Sequence, residues 1–429
     1  MQNTPADMGG EPLATLTALD AAAAAPAMAK LWVESGQAAP SGFVELLIGG
    51  DLVARRRALA LDDEADAPIA AAARAIAADP ALARLAWHLH WRTFVAPEHG
   101  CAWGAPEIGG RHAGISGGFY LLLALEFAPR LQALHRQRGY DPAVTAETLL
   151  EAGCFVGNHR VGEQTTGIYA SQFPWFASYL TADPYVRLGR LEFQLHVWGG
   201  GAAVWRRDDG AVVALAEDAL EIDDGGLCQS APGSFRTRLE EDADAVRGHP
   251  IDPAGRILPR RVRLPRDRWR PQVRRGDQVL DVHIPAGGRM DWESCQDSFR
   301  RAHAFFAMHH GDRPARAAVC STWFLDPRLA EVLPAEANPL RLARAVHLFP
   351  MPPNPGSLWF VFQRPTPPGV DVATLPQDTA LRRGLAGFLA SGRSWNGGGM
   401  FALWEDLPSL RDGLYRERWQ ALAGALERC

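Results

Sequence analysis

With 429 residues, 47% of them hydrophobic and 22% charged, the chain is long enough for two or three domains with sizeable cores. A formal net charge of −5 gives no general reason to expect nucleic acid or an acidic membrane as partner. Six cysteines, Cys101, Cys154, Cys228, Cys295, Cys320 and Cys429, form no C-x-x-C pair and no Cys/His quartet at zinc spacing, so free thiols in a reducing, cytoplasmic setting are expected and no metal site.

The N-terminus lacks the basic-then-apolar plan of a secretory signal, and Met1 to Glu11 is expected to fray. Leu13 to Ala29 is a short Ala-rich run rather than a membrane span, and Leu13 to Ala38 as a whole reads as one helix broken near Pro26. Gly42 to Ala60 reads as a second helical segment. Ala65 to Phe94 carries the clearest helical pattern of the first half, starting at Asp66 or Pro68 and breaking near Pro80. Gly118 to Arg138, Asp141 to Asn158 and Tyr169 to Tyr179 follow as helices. No strand pattern precedes residue 185, so residues 1–183 are expected to form an all-helical domain.

The pattern changes at Pro184. Tyr185 to Trp198 alternates by two, with a phase change at Gly189, and predicts a half-buried strand. Residues 202–245 hold strand-like pieces such as Ala211 to Leu215 and are read as a variable excursion. Arg247 to Arg275 is rich in Pro and Arg, with one strand candidate at Arg261 to Leu264. Gln278 to Trp323 then reads strand, glycine turn, helix, strand: Val279, Leu280, Val282 and Ile284, then Gly287-Gly288, an N-cap at Asp291, a helix from Trp292 to His310, and Ala315 to Trp323. A short helix at Pro327 to Leu333, strands at Arg341 to Phe349 and Ser357 to Arg364, a helix at Thr379 to Ser391, a strand at Met400 to Trp404 and a last helix at Leu414 to Arg428 complete the reading. Residues 184–429 are thus expected to form a mixed α/β domain.

Several residues invite chemistry. His88 and His90 lie two apart, and on a helix such positions diverge by about 200°, so the pair cannot share a metal; a packed or surface helix is expected. His309-His310 are expected to meet the terminal carbonyls of their helix. Arg256, Arg260, Arg261, Arg263, Arg266, Arg268, Arg270, Arg274 and Arg275, with Trp269 among them, follow the acidic Glu240, Glu241, Asp242 and Asp244, which predicts a partly salt-bridged face. No G-x-S-x-G elbow is present, so serine hydrolysis lacks its signature. Cys320 sits late in an apolar strand, where a thiol is more often packed than reactive. His283 ends its strand beside the glycine turn, where an imidazole suits proton removal. Glu192, with Gln194 on the same face, is a second candidate base. The 14 Trp fit large buried aromatic surfaces or a wide apolar groove.

These stretches also carry a resemblance. Arg187-Leu188-Gly189-Arg190-Leu191-Glu192-Phe193, Gly248-His249-Pro250-Ile251-Asp252-Pro253-Ala254-Gly255-Arg256 with Leu258-Pro259, Gly276-Asp277 through Gly288, Ser298-Phe299, and Val319-Cys320-Ser321-Thr322-Trp323 with Leu325-Asp326-Pro327 occur in one order. Together they resemble bacterial acyltransferase-domain proteins that pair a helical N-acyltransferase N-terminal domain with a GNAT-like C-terminal domain. The resemblance implies an α+β fold and acyl transfer from acyl-coenzyme A, acetyl or longer, to a small-molecule or peptide amine, with no permanently bound cofactor. It implies that Ile284, Ala286, Gly287, Gly288 and Arg289 hold pyrophosphate, that Cys320 and Trp323 lie on the splayed neighbouring strand, and that His283 or Glu192 is the base. The turn Pro285-Ala286-Gly287-Gly288-Arg289-Met290 departs from the usual Gln/Arg-x-x-Gly-x-Gly/Ala loop. An acyl-carrier protein as donor, docked on the arginine cluster, and a non-catalytic acyl-CoA or peptide-binding module are the alternatives.

Overall fold

The computed structural model describes residues 11–99, 103–367 and 369–426, so Cys101, Cys429 and residues 1–10 of the expected frayed start lie outside it. The chain clusters into two compact units: residues up to Arg187 with Pro285–Gly287, and Leu188–Ile284 with Gly288 onward. Among the described residues only helices precede Tyr185, and a mixed sheet follows, which is an α+β fold.

In the first unit, the helical pattern of residues 65–94 becomes Asp66–Ala78 and Pro80–His90. The break belongs to Asp79. Its side chain accepts from the Ala81 N–H at 2.9 Å, and Pro80 takes the start of the helix, where no donor is needed. Ile69, Ala72 and Ile76 of the first helix and Leu82, Leu85 and Leu89 of the second share one core with Phe119, Leu122 and Phe176. Residues 13–38 are not one helix broken near Pro26. They form Pro12–Ala18, a 3₁₀ turn Ala22–Ala24, Ala25–Ala29 and Trp32–Gln37, and Pro26 opens a helix rather than breaking one. The expected helix Tyr169 to Tyr179 is a 3₁₀ segment, Phe173–Leu180, with Pro174 in its first turn.

In the second unit, five strands lie in the order Leu191–Val197, Gln278–His283, Ala317–Thr322, Gly398–Leu403 and His347–Pro350. Gly189, at φ 76°, makes the phase change expected before Leu191. The Trp292–His309 helix starts at Asp291, whose carboxylate accepts from the Ser294 N–H at 2.9 Å. Its Phe299 meets Phe193 with centroids 6.0 Å apart, so the helix covers the sheet face that carries Phe193 and Val282. Ser298 ties the helix to the preceding turn, its Oγ accepting from the Arg190 N–H at 2.9 Å.

Residues 202–275 are more regular than their sequence suggests. Trp269–Val273, Ala202–Arg207, Val212–Ala216 and Pro250–Ile251 form a four-stranded sheet, and Val262–Pro265, Ala245–Gly248 and Leu239–Glu241 a three-stranded one. Trp205, Val213, Leu215, Val246, Val262 and Leu264 pack into one core. The arginines of this region are partly ion-paired, with Arg261 on Glu240, Arg266 on Glu241, Arg270 on Asp208 and Arg275 on Glu217.

Two expected strands are corrected. Ser357 to Arg364 forms a 3₁₀ turn, Pro355–Leu358, and a helical turn, Trp359–Phe362. A short apolar run does not tell strand from buried helix; here Asn354 caps the Gly356 N–H and a proline sits in the first turn, both helix-start features. Arg341 to Phe349 divides into the helix Asn338–Ala345, opened by Pro339, and the strand His347–Pro350.

Candidate active site

The Gln278–His283 strand has two unlike sides. On one it pairs antiparallel with Leu191–Val197 over all six residues, from Gln278 opposite Val197 to His283 opposite Glu192. On the other it pairs parallel with Ala317–Thr322 at only two positions, Leu280 with Ala318 and Asp281 with Val319. Ala317–Thr322 meanwhile keeps six pairs with Gly398–Leu403. The two parallel strands therefore part after Asp281 and Val319, and the ladder between them does not continue to Val282–His283 and Cys320–Thr322. Buried strand backbone rarely goes without partners, so such a gap suits a ligand with amide groups of its own.

Side chains of one sheet face converge at this gap. Directly opposed residues of an antiparallel pair point the same way, so Glu192 with His283 and Gln194 with Asp281 form a two-by-two polar array. His283 Nε2 lies 3.5 Å from Asp281 Oδ2 and is itself buried, while the His283 side chain as a whole is 28% exposed. Glu192 is buried at 1% exposure. The sequence flagged Glu192, Gln194 and His283 but not Asp281; its signal was the two-residue spacing to His283 on a strand. By the register of Asp281 with Val319, Ser321 falls on this same face one strand over.

The glycine turn follows His283. Gly287 and Gly288 have φ of 75° and 70°, the left-handed region that glycine enters without strain. Among the described residues, the N–H groups of Ala286, Gly287, Gly288 and Arg289 donate to no acceptor, whereas the Arg289 carbonyl accepts from Arg190 Nε at 3.2 Å. Consecutive unpaired N–H groups are what an anion needs. The helix end beyond is already engaged: Asp291 caps it, its carboxyl held below its ordinary value by the hydrogen bonds with Ser294. Any phosphate here would rest on the turn rather than on the helix terminus. Ile284 joins the strand to this turn.

Cys320 is buried, and burial pushes its thiol well above the ordinary range, so it is a neutral packing group and not a nucleophile. Trp323 starts a 3₁₀ turn at the end of the same strand, and its carbonyl accepts from Trp395 Nε1 at 2.9 Å. Together with Ser321 and Thr322 it lines a half-open pocket of about 190 Å³, shared with Met351, Pro352, Asn354, Ser357 and Phe360 and floored by Gly397 and Gly398. The floor is tight: a Cβ on Gly398 would stand 1.9 Å from the Leu325 carbonyl oxygen. Asp326 holds these parts together, accepting from the N–H groups of Asn396 and Gly397 at 3.0 and 3.1 Å and pairing with Arg328 at 2.7 Å. The Asn396-Gly397-Gly398-Gly399 run was not singled out in the sequence, although its glycines mark close backbone approach.

The remaining histidine pair is elsewhere and closed. His88 and His90 are buried in the first unit, His88 against Trp32 and Ser35 and His90 among Phe43, Trp87 and Phe94, and burial pushes both down to about 3. They are neutral core groups on a packed helix, where the sequence left a packed and a surface helix open. Among the described residues no group of three or more His, Cys, Asp or Glu could hold a metal ion, and no helix is long and apolar enough to cross a membrane.

Comparison with known proteins places this geometry. Residues 185–401 match the family model described as a GNAT-like C-terminal domain, and residues 50–182 match that of an N-acyltransferase N-terminal domain. No curated protein matches the chain. Two solved structures, an acyltransferase mutant in complex with octanoyl-CoA and an acyltransferase in complex with CoA and 10C-teicoplanin, each align at a TM-score of 0.62 and 24% identity, covering 92% of this chain and 99% of theirs. An acyltransferase in complex with decanoyl-CoA and teicoplanin aligns at 0.61 and 23% over the same shares. At that identity the likeness is one of fold.

Proposed function

Because the chain belongs to the family with a GNAT-like C-terminal domain, here preceded by an N-acyltransferase N-terminal domain, we propose that it transfers an acyl group from a coenzyme A thioester to an amine by direct attack. Membership makes the chain an acyltransferase; its donor and its acceptor are inferred from the site. The observation that carries the reading is the two-residue pairing of Gln278–His283 with Ala317–Thr322, which opens a gap at the strand ends beside His283 and Glu192. Ligands of open α/β sheets gather at the carboxyl ends of parallel strands, where this gap lies. Solved acyltransferases of the same fold are bound to octanoyl- or decanoyl-CoA, which supports a coenzyme A thioester as donor, and two are bound to teicoplanin or its 10C form, which supports a small-molecule acceptor.

In this reading the pantetheine amides enter between the parted strands, and the N–H groups of Ala286 to Arg289 meet the pyrophosphate. The amine nitrogen attacks the thioester carbonyl, a C–N bond forms, and the C–S bond breaks as the sulfur leaves with the electron pair. His283, oriented by Asp281, or Glu192 opposite it, accepts the proton that the nitrogen sheds. Backbone N–H groups along the open strand edge stabilise the oxyanion. Isothermal titration with acetyl-CoA and longer acyl-CoAs tests the donor. Saturable binding is expected, and no heat of binding at millimolar concentrations for any of them would overturn it.

A further inference from the structure

The helical unit holds two buried positive charges that the acyl-transfer reading does not use. Arg84, His88 and Arg92 follow one another at intervals of four residues, along one face of Pro80–His90 and its continuation, a single π turn at Trp91–Val95. Such turns inside helices are frequent at functional sites. Arg84 is 3% exposed and Arg92 4%. We propose that these two arginines form a binding site for a small monovalent anion, a halide or a short carboxylate, inside the helical unit.

Among the described residues four arginines are buried: Arg56, Arg84, Arg92 and Arg328. Arg56 meets Asp66 at 2.6 Å and Arg328 meets Asp326 at 2.7 Å. The other two are met by neutral groups instead. Arg84 Nη2 donates to the Trp32 carbonyl at 2.6 Å and the Ser35 hydroxyl at 3.2 Å, and Arg92 Nη1 donates to the Ala27 carbonyl at 3.4 Å. Each lies against an indole, Arg84 Cζ 3.9 Å from the Trp32 ring centroid and Arg92 Cζ 4.2 Å from that of Trp103, which leaves the in-plane N–H groups to meet a further partner. Arg84 Nε and Nη1 and Arg92 Nε are buried and donate to no protein acceptor. A buried charge is costly unless it is paired, and so is a buried donor without an acceptor. Burial alone pushes both guanidiniums down to about 10, with no carboxylate to hold them up, and the charges of both reach His88 between them. An anion here would do for this pair what Asp66 and Asp326 do for the other two.

The test is thermal denaturation of the whole protein in dilute Hepes, titrated with sodium chloride or with sodium acetate, for wild type, Arg84→Met and Arg92→Met. The two salts separate a halide from a carboxylate. The wild-type Tm should rise saturably with at least one of them, by about 5 °C or more at roughly a hundredfold excess over Kd. Arg92→Met removes a buried charge that lacks a partner, and it should lose the saturable response; Arg84→Met should lose it too. Arginines that merely pin the Trp32 and Ala27 carbonyls would lower the melting curves of the variants and leave the salt response in place. The same response in wild type and variants therefore overturns the assignment. So does a wild-type Tm that rises saturably with neither anion, which would leave buried water on these donors and is decisive even where a variant does not fold.

Discussion

His88 and His283 are the same side chain in opposite settings. His88 is sealed in the helical unit, bonded to Ser35 at 2.8 Å and packed on Trp32, and burial holds it neutral at about 3. His283 stands at the end of a strand, partly open, with Asp281 at 3.5 Å and Glu192 opposite. The contrast does not follow the units. His347, in the same sheet as His283, is as sealed as His88, stacked on Phe401 and pushed to about 3 by burial. What separates His283 is its place where the parallel pairing stops. In the proposed function, His283 is set apart from the sealed histidines by the opening of the sheet beside it.

The largest test of that contrast is His283→Ala. Loss of a general base costs about 10²- to 10⁴-fold in rate, so acyl transfer should fall by that factor while the melting temperature and acyl-CoA affinity hold. Steady-state release of coenzyme A thiol, read beside a thermal melt, checks it. Equal losses in rate and stability would make His283 a packing residue like His88.

His88→Ala should do the reverse. It removes the Ser35 hydrogen bond and leaves a cavity beside Trp32, at a cost of about 2–4 kcal/mol of stability. The rate per folded molecule should stay within a factor of two or so of wild type. A denaturant titration paired with an activity assay separates the two quantities.

Acid should weaken the helical unit through its sealed histidines. His88 and His90 sit at about 3 in the fold and near 6.5 when unfolded, so between those values the unfolded chain binds more protons. Their contribution is fully present above pH 6.5 and is lost as pH falls toward 3. One pH unit below 6.5 should remove about 1 kcal/mol per histidine, roughly 2 kcal/mol for the pair. Asp79 works at the far end of the scale. Its burial favours the neutral acid, but Arg111 and His112 hold it at about 2, so its stabilisation fades only below about pH 4. Urea melts followed by far-ultraviolet circular dichroism should therefore weaken from pH 7 to 5; a flat response would mean that the two imidazoles are hydrated in the fold.

How much of this was legible depended on how local the cause is. The Gln278–Trp323 unit was readable because each signal is short-range: β-branched residues to Pro285, two glycines, the Asp291 cap, Phe299 and Phe306 at helical spacing. The opening between its strands was implied only by the resemblance and not by the residues themselves, since it depends on where two ladders stop, which no stretch of six residues records. Asp281 was missed for the same reason, its meaning arising only once His283 and Glu192 are opposite one another. The sheets of residues 202–275 were obscured by composition. Trp269–Val273 contains two charged or amide side chains and Pro271, which lies beside a register shift that accommodates its missing donor. Trp359-Phe360-Val361-Phe362 misled in the other direction: strand-like residues were overruled by the cap and proline before them.

The smallest expected effect concerns the turn that follows His283. Gly288→Ala adds a methyl group at φ 70°, where the nearest atom, Arg190 Nε, would be 3.6 Å away. There is room for the methyl group, so the cost is conformational, about 1 kcal/mol for an L-residue held in the left-handed region. If the turn's N–H groups hold pyrophosphate, the strain should appear mainly in coenzyme A binding, weakening it by a few-fold, with the rate at saturating acyl-CoA unchanged. Desulfo-coenzyme A and pantetheine make the decisive pair of ligands. Desulfo-coenzyme A, which keeps the pyrophosphate, should lose affinity in the variant, and pantetheine, which lacks it, should not. Equal losses for both would move the phosphate contact away from Ala286–Arg289 and leave the polar array of Glu192, Asp281 and His283 as the fixed point of the site.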